Sequence, residues 1–166
     1  GVNSLSILLA KAAGANVLAL SSGKEKCDKA RALGASAVID YVAVPDWHTE
    51  VLKLTKGRGV DVVIDNVGSR TMPKSLRSTA RGGRIVTVGN TKGYELSFDN
   101  RLFFTKQVSL IGSTMGSRQD FIEAMEFIFP NGIKIPVDTV APLADGIKMI
   151  KRLEDGAHFG KIVLRP

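Results

Sequence analysis

The fold is decided by residues 1–20, which read GVNSLSILLAKAAGANVLAL. The apolar run 5–13 is typical of a helix that begins beside Gly1, and the aliphatic stretch 16–20 is typical of a buried strand. A helix that starts at a glycine and leads into a strand is the second half of a nucleotide-binding βαβ unit. We therefore expect an α/β domain whose first strand lies upstream of Gly1.

The alternation of short strands and amphipathic helices continues along the chain. Strands are predicted at 16–20, 36–40, 60–65, 83–88, 107–112 and 159–164, and helices at 3–13, 24–33, 46–55, 70–79, 117–129 and 142–154. This alternation predicts one α/β domain over residues 1–166 with a doubly wound parallel sheet. In that architecture the missing first strand is central, and its absence leaves backbone groups of the core unpaired. The less regular stretch 89–106 is expected at the carboxyl edge of the sheet.

Composition narrows the class of protein and its partners. The net charge of +7 is spread along the chain, and aromatic residues make up only 6%, so nucleic-acid binding is not favoured over an anionic small molecule or an acidic partner domain. The aliphatic runs are too short to span a bilayer. The single cysteine, Cys27, cannot form an internal disulfide, which indicates the reducing cytoplasm. Its polar neighbours predict a surface thiol.

The first candidate site is the start of the first helix. Gly1, Val2 and Asn3 have the position of the tail of a glycine-rich phosphate loop. Backbone amides in such a loop approach a pyrophosphate at the positive end of the helix. The alternative is an ordinary chain terminus, which these residues taken alone favour.

The second candidate site follows the strand at 16–20. An NAD-specific site places an acidic residue at the end of this strand to hold the ribose hydroxyls. This chain has Ser21, Ser22 and Lys24 instead, which offer two hydroxyls and a cation to a 2′-phosphate. NADP(H) is therefore predicted in preference to NAD(H). The alternative is a polar turn in which Ser22 caps the next helix.

Longer stretches resemble a known family. Residues 1–15, 25–26 and 30–35, the segment GRGVDVVIDNVG at 57–68, RGGRIV at 81–86 and HFGKIV at 158–163 closely resemble the coenzyme domain of the medium-chain dehydrogenase/reductase superfamily. The resemblance covers essentially the whole chain and is greatest to zinc-type alcohol dehydrogenases and quinone-reductase-like relatives. It implies a Rossmann NAD(P)-binding fold. The chain departs from the family at Asn3, where the third glycine of the fingerprint is expected.

The resemblance implies further cofactor contacts. Loops at three strand ends are expected to line the adenosine and nicotinamide path, and each could instead be an ordinary βα turn, with Asp65 capping one of them. The candidate residues are Asn66, Val67, Gly89, Asn90, Ser113 and Thr114. Before the last strand, Gly160 and Lys161 are expected near the cofactor, and His158 is expected to pack or contact it rather than to catalyse. His48 is expected to be a surface or packing residue.

Catalytic groups are not predicted within this chain. Two separated histidines and one cysteine cannot form a tetrahedral zinc site, so no metal site is expected here. The resemblance implies an absent N-terminal catalytic domain, which would hold any zinc and the groups that activate a small-molecule carbonyl or enone for hydride transfer. It also implies a homodimer through strand 107–112, whose apolar edge needs a cover.

Two alternatives from other classes remain open. An S-adenosylmethionine-dependent methyltransferase also has a doubly wound sheet, but it usually finishes with a reversed strand after a hairpin. Here the strand at 159–164 follows a helix, as a parallel crossover does. The other alternative is a non-catalytic nicotinamide- or nucleic-acid-binding homologue. RNA binding that depends steeply on salt, together with no enzymatic turnover by the full-length protein, would support it.

Overall fold

A computed structural model describes residues 1–91 and 93–166. The helices are α1 (Val2–Ala12), α2 (Gly23–Ala32), α3 (Trp47–Leu54), α4 (Met72–Ser78), α5 (Asn100–Lys106), α6 (Arg118–Ile128) and α7 (Gly146–Glu154). The strands are β1 (Leu18–Ser21), β2 (Ala37–Asp40), β3 (Val60–Asp65), β4 (Thr79–Thr87), β5 (Ser109–Gly112), β6 (Val137–Pro142) and β7 (Lys161–Arg165). The chain divides into two compact units, residues 1–38 with 119–166, and residues 39–118.

The first unit has a core of small and aliphatic residues. Ile7 of α1, Ala19 of β1, and Ala30 and Ala35 around the end of α2 are buried together, and Phe159 packs against them. β1 pairs with β2, and β6 pairs in parallel with β7. Because α7 connects β6 to β7, the last strand arrives by a parallel crossover, as the sequence predicts, and not by the hairpin of a methyltransferase.

The second unit is a parallel sheet in the order β3-β4-β5. Met72 and Leu76 of α4 are buried against Ile85 of β4 and Val108, which forms the core of this unit. Apolar side chains of α5, among them Leu102, pack on the same cluster. The helices therefore cover the sheet face that carries Ile85, and the register of the three strands fixes where their ends lie.

The fold class is confirmed, as an α/β architecture with parallel strands. Each predicted strand and helix is found with ends shifted by a few residues, and residues 143–145 form a 3-10 turn before α7 rather than its first turn. Two elements were not predicted, α5 and β6. α5 is only seven residues long and depends on Asp99, whose side chain accepts the Arg101 N–H at 2.9 Å. β6 mixes polar and apolar residues and ends at Pro142, so its strand pattern is weak.

The structure buries Cys27, which the sequence predicts to be a surface thiol. Cys27 is only 4% exposed, so this prediction is wrong. The physical reason is the helical period, which places Cys27 and Ala30 on the inner face of α2 while their charged neighbours point outward. No helix within the described residues is long and apolar enough to cross a membrane.

Candidate functional site

Three strand ends of the second unit lie side by side. Asp65 of β3 is in register with Thr87 of β4, and Thr87 is in register with Gly112 of β5. Because the strands are parallel, the loops that follow them leave the sheet at one edge. These loops contain six of the predicted site residues: Asn66, Val67, Gly89, Asn90, Ser113 and Thr114. The structure therefore brings this group of residues to a common edge.

Asp65 organises the first of these loops. Its side chain is 4% exposed, and Oδ1 accepts the backbone N–H groups of Val67 at 3.0 Å and Gly68 at 3.1 Å. The same oxygen accepts the Thr71 hydroxyl at 2.8 Å, and Oδ2 accepts the Ser75 hydroxyl at 2.7 Å. This carboxylate caps a turn, which was the alternative role given to it, and it fixes the backbone beside Asn66.

The first two loops touch each other closely. Gly68 has a φ of +92°, and a β-carbon there would lie 3.1 Å from the carbonyl oxygen of Gly93 and 3.2 Å from Cα of Asn90. The Thr91 hydroxyl donates to the carbonyl oxygen of Asn66 at 3.5 Å. Glycine at position 68 is thus needed both for its backbone conformation and for the close approach of Asn90 and Gly93.

In the first unit, the start of α1 lies beside the last strand. Gly1 is the N-cap residue and no side chain caps the helix, while Val2 and Asn3 form an exposed first turn. A β-carbon on Gly1 would lie 4.0 Å from Nζ of Lys161 and 4.0 Å from the carbonyl oxygen of Gly160. Gly1, Gly160 and Lys161 therefore lie close together. The ammonium group of Lys161 is placed beside a helix N-terminus that no side chain caps.

A buried carboxylate, paired with a half-exposed arginine, anchors the turn that carries Gly160 and Lys161. The Asp138 side chain is 7% exposed and accepts from Arg152 Nη2 at 2.9 Å and from the Phe159 N–H at 3.0 Å. Burial alone would raise the pKa of Asp138, but the hydrogen bonds from Phe159, Thr139 and Arg152 lower it to about 2. Asp138 holds the turn by its charge, and the sequence analysis missed it because β6 was not predicted.

Gly160 completes this turn by close backbone contact. Its φ is +106°, and a β-carbon would lie 2.4 Å from the carbonyl oxygen of Pro136. The next N–H, that of Lys161, donates to the same oxygen at 2.8 Å. Only glycine fits here, so the position of Lys161 beside α1 depends on it.

The segment between β1 and α2 presents polar side chains. Ser21 ends β1 and Ser22 is the N-cap residue of α2, with φ −122° and ψ 125°. The Ser22 hydroxyl makes no capping hydrogen bond, so the alternative role of a side-chain cap is not observed. Lys24 is 91% exposed, and its Nζ lies 2.8 Å from Oδ2 of Asp28.

The two histidines occupy packed positions. Nδ1 of His48 and Nδ1 of His158 are buried and have no hydrogen-bond partner within residues 1–91 and 93–166. Burial, which is the largest cause, and the positive charge of Lys26 lower the pKa of His158. In the part of the chain that the structure describes, no group of three or more His, Cys, Asp or Glu side chains is placed to hold a metal ion. The two histidines and the single cysteine of the described residues therefore do not form a zinc site.

Comparisons with known proteins place the chain among dehydrogenases. A family model described as zinc-binding dehydrogenase matches residues 1–129. Alcohol dehydrogenase 1 of Caenorhabditis elegans is 32% identical over 164 residues, which are 99% of this chain and 46% of that protein. The chain spans about half the length of the curated relatives it matches.

Two solved structures extend this likeness to the whole fold. The crystal structure of an NAD-dependent alcohol dehydrogenase superposes with a TM-score of 0.91 at 36% identity, over 100% of this chain and 48% of that one. A 2-octenoyl-CoA carboxylase reductase, solved in complex with NADP and 2-octenoyl-CoA, has a TM-score of 0.87 at 28% identity, over 99% of this chain and 40% of that one.

Proposed function

The chain belongs to the family of zinc-binding dehydrogenases, and we propose that it is the coenzyme-binding domain of a cytoplasmic oxidoreductase. The complete enzyme transfers a hydride between NADP(H) and a carbonyl or enone substrate. The nicotinamide supplies the redox chemistry, and this chain binds and orients it. The observation that carries the proposal is the register of Asp65, Thr87 and Gly112, which gathers three loops at one sheet edge.

The loops at this edge are the proposed adenosine and nicotinamide contacts. Ligands of open α/β sheets bind outside the carboxyl ends of the strands. The Asp65 carboxylate holds the first loop in one conformation, and the close approach at Gly68 fixes the second loop against it. Because these loops are already ordered, ligand binding does not incur the entropic cost of ordering them.

The start of α1 is the proposed pyrophosphate site. The first amides of a helix have no intrahelical partner, and the helix dipole favours an anion there. Lys161 adds a full positive charge beside Gly1, and the Asp138–Arg152 pair fixes the turn from which Lys161 projects. The uncapped N-terminus and this cation fit a phosphate group better than either feature does alone.

The preference for NADP(H) rests on the segment after β1. The solved relatives include one described as NAD-dependent and one in complex with NADP, so their cofactors support either nicotinamide. In this chain none of residues 21–24 is acidic, and the Ser22 hydroxyl makes no capping hydrogen bond to α2. Ser21, Ser22 and Lys24 are the proposed contacts of the 2′-phosphate.

Replacing Ser21 with aspartate tests this selection. We expect Ser21→Asp to reduce the ratio of NADPH to NADH affinity about tenfold or more, because a carboxylate repels the 2′-phosphate and accepts the ribose hydroxyls. Dissociation constants of both cofactors, measured by nicotinamide fluorescence on the full-length protein, give this ratio. Ser36→Asp adds the same charge at an exposed position before β2 and serves as the control. An unchanged ratio in Ser21→Asp would refute the assignment.

The proposed enzyme includes an N-terminal catalytic domain. The curated relatives are about twice the length of this chain, and β3 is an edge of its sheet within the described residues. Val62 and Ile64 of β3 are exposed apolar residues, as expected of a strand that a further element covers. We propose that this domain supplies the groups that activate the substrate, including zinc if the enzyme uses it.

We also propose that two copies associate through β5. This strand lies at the other edge of the three-stranded sheet, and Ile111 on it is 43% exposed. A charge on an edge strand opposes pairing with a second strand. We expect Ile111→Lys to shift the full-length protein from dimer to monomer in light scattering, and Ile147→Lys on α7 to leave the dimer intact. A dimer that persists in Ile111→Lys would argue against this interface.

A further inference from the structure

An acidic residue lies between two cations on the exposed face of α2. Lys24, Asp28 and Arg31 are spaced by four and three residues, so they form one stripe along the helix. Oδ2 of Asp28 lies 2.8 Å from Nζ of Lys24, and Oδ1 lies 2.7 Å from Nη1 of Arg31. Each carboxylate oxygen of Asp28 is therefore occupied by one cation.

This stripe begins where the 2′-phosphate contacts are proposed. Lys24 is two residues beyond Ser22, and its long, 91% exposed side chain is paired with Asp28. A phosphate at Ser21 and Ser22 must draw Lys24 away from Asp28 or share it. Exposed helix ion pairs are weak, so the exchange is possible. Asp28 lies six residues beyond Ser22, about 9 Å along the helix axis, and its charge acts over that distance at low salt.

We propose that Asp28 is a specificity-determining residue that limits the affinity for NADP(H) by competing for Lys24 and by repelling the 2′-phosphate. This inference rests on the proposed NADP(H) function. NAD(H) has no phosphate at the 2′ position, so Asp28 does not act on its binding. Removing the carboxylate leaves Lys24 available to an anion at the start of α2, whereas Arg31 lies in the last turn of the helix.

The test compares variants that differ only in charge. Asp28→Asn removes the competing carboxylate at nearly constant shape. Glu50→Gln is the matched control, because Glu50 lies on α3 and pairs with Lys53 at 3.0 Å rather than with Lys24. Lys24→Met removes the proposed phosphate contact itself. Dissociation constants for NADPH and NADH are measured on the full-length protein at low and at high salt, and thermal melting shows that each variant is folded.

We expect Asp28→Asn to tighten NADPH binding by about threefold to tenfold at low salt, as the removal of one nearby like charge predicts. NADH binding stays within about twofold of the parent value, and the NADPH effect shrinks at high salt. Glu50→Gln leaves the affinity for NADPH within about twofold of the parent value. Unchanged NADPH affinity in Asp28→Asn, or equal tightening of NADPH and NADH, would overturn the inference.

The Lys24→Met variant separates this inference from the function on which it rests. If Lys24→Met leaves the ratio of NADPH to NADH affinity unchanged, the proposed 2′-phosphate site is wrong, and the role of Asp28 is rejected with it. If Lys24→Met lowers that ratio while Asp28→Asn does not raise it, the phosphate site stands and only the role of Asp28 is rejected.

Discussion

Replacing Asp65 with alanine is expected to lower the free energy of unfolding by about 4 kcal/mol, because several donors lose a charged acceptor at once. The N–H groups of Val67 and Gly68 and the hydroxyl of the buried Ser75 would all be left without this partner. The same change frees the loop that carries Asn66, so we expect the affinity for NADPH to fall as well.

Chemical denaturation followed by circular dichroism measures the stability change, and nicotinamide fluorescence measures the affinity. Asp61→Ala is the matched control, because Asp61 lies on the same strand but is exposed and pairs only with Arg58 among the described residues. The midpoint of that variant should stay close to the parent value. Asp65→Asn should recover part of the loss because its amide oxygen still accepts. A stable Asp65→Ala protein would contradict the role given to this carboxylate.

The second large effect is expected at Asp138. Asp138→Ala removes the acceptor of the Phe159 N–H and of the half-exposed Arg152, so we expect a loss of about 2 kcal/mol in the free energy of unfolding. Asp155→Ala breaks the exposed pair with Lys151 and should have little effect. Equal midpoints for the two variants in denaturation would show that the Asp138 pair does not anchor the turn.

The pH dependence of stability gives an independent readout of the same carboxylate. The pKa of Asp138 is lowered from 3.8 to about 2 in the folded protein. A lowered pKa stabilises the fold above the unfolded value and loses this effect as the pH falls through the folded value. The parent protein should therefore lose about 2 kcal/mol between pH 4 and pH 2 through this group. In Asp138→Ala that part of the acid sensitivity should be absent.

Local patterns were sufficient to predict most of the fold. The β-branched run 60–64 predicts β3, and the glycines after α1 and α2 do take left-handed conformations, with φ of +80° at Gly14 and +102° at Gly34. The meeting of three strand-end loops could also be predicted, because the order of parallel strands decides which ends share an edge. These features depend on short stretches of sequence and on topology, and both are readable without coordinates.

Other parts of the site depend on contacts between distant residues. Asp138 accepts a hydrogen bond from the Phe159 N–H, 21 positions further along the sequence. Neither residue type predicts such a contact. Cys27 was misjudged because its charged neighbours in sequence lie on the opposite face of the helix. The hydrogen bonds of Asp65 likewise depend on the angle between β3 and α4, which brings Ser75 to the carboxylate. Composition and periodicity do not contain this geometry.

The most direct test of the account is a titration of the full-length protein and its Lys161→Met variant with NADPH, followed by nicotinamide fluorescence. We expect saturable binding to the parent protein with a stoichiometry of one per chain. Binding to Lys161→Met should be about tenfold to hundredfold weaker, because a charge-assisted contact with the pyrophosphate is lost. Absence of saturable binding to the folded parent protein, or equal affinities of the two proteins, would contradict the account.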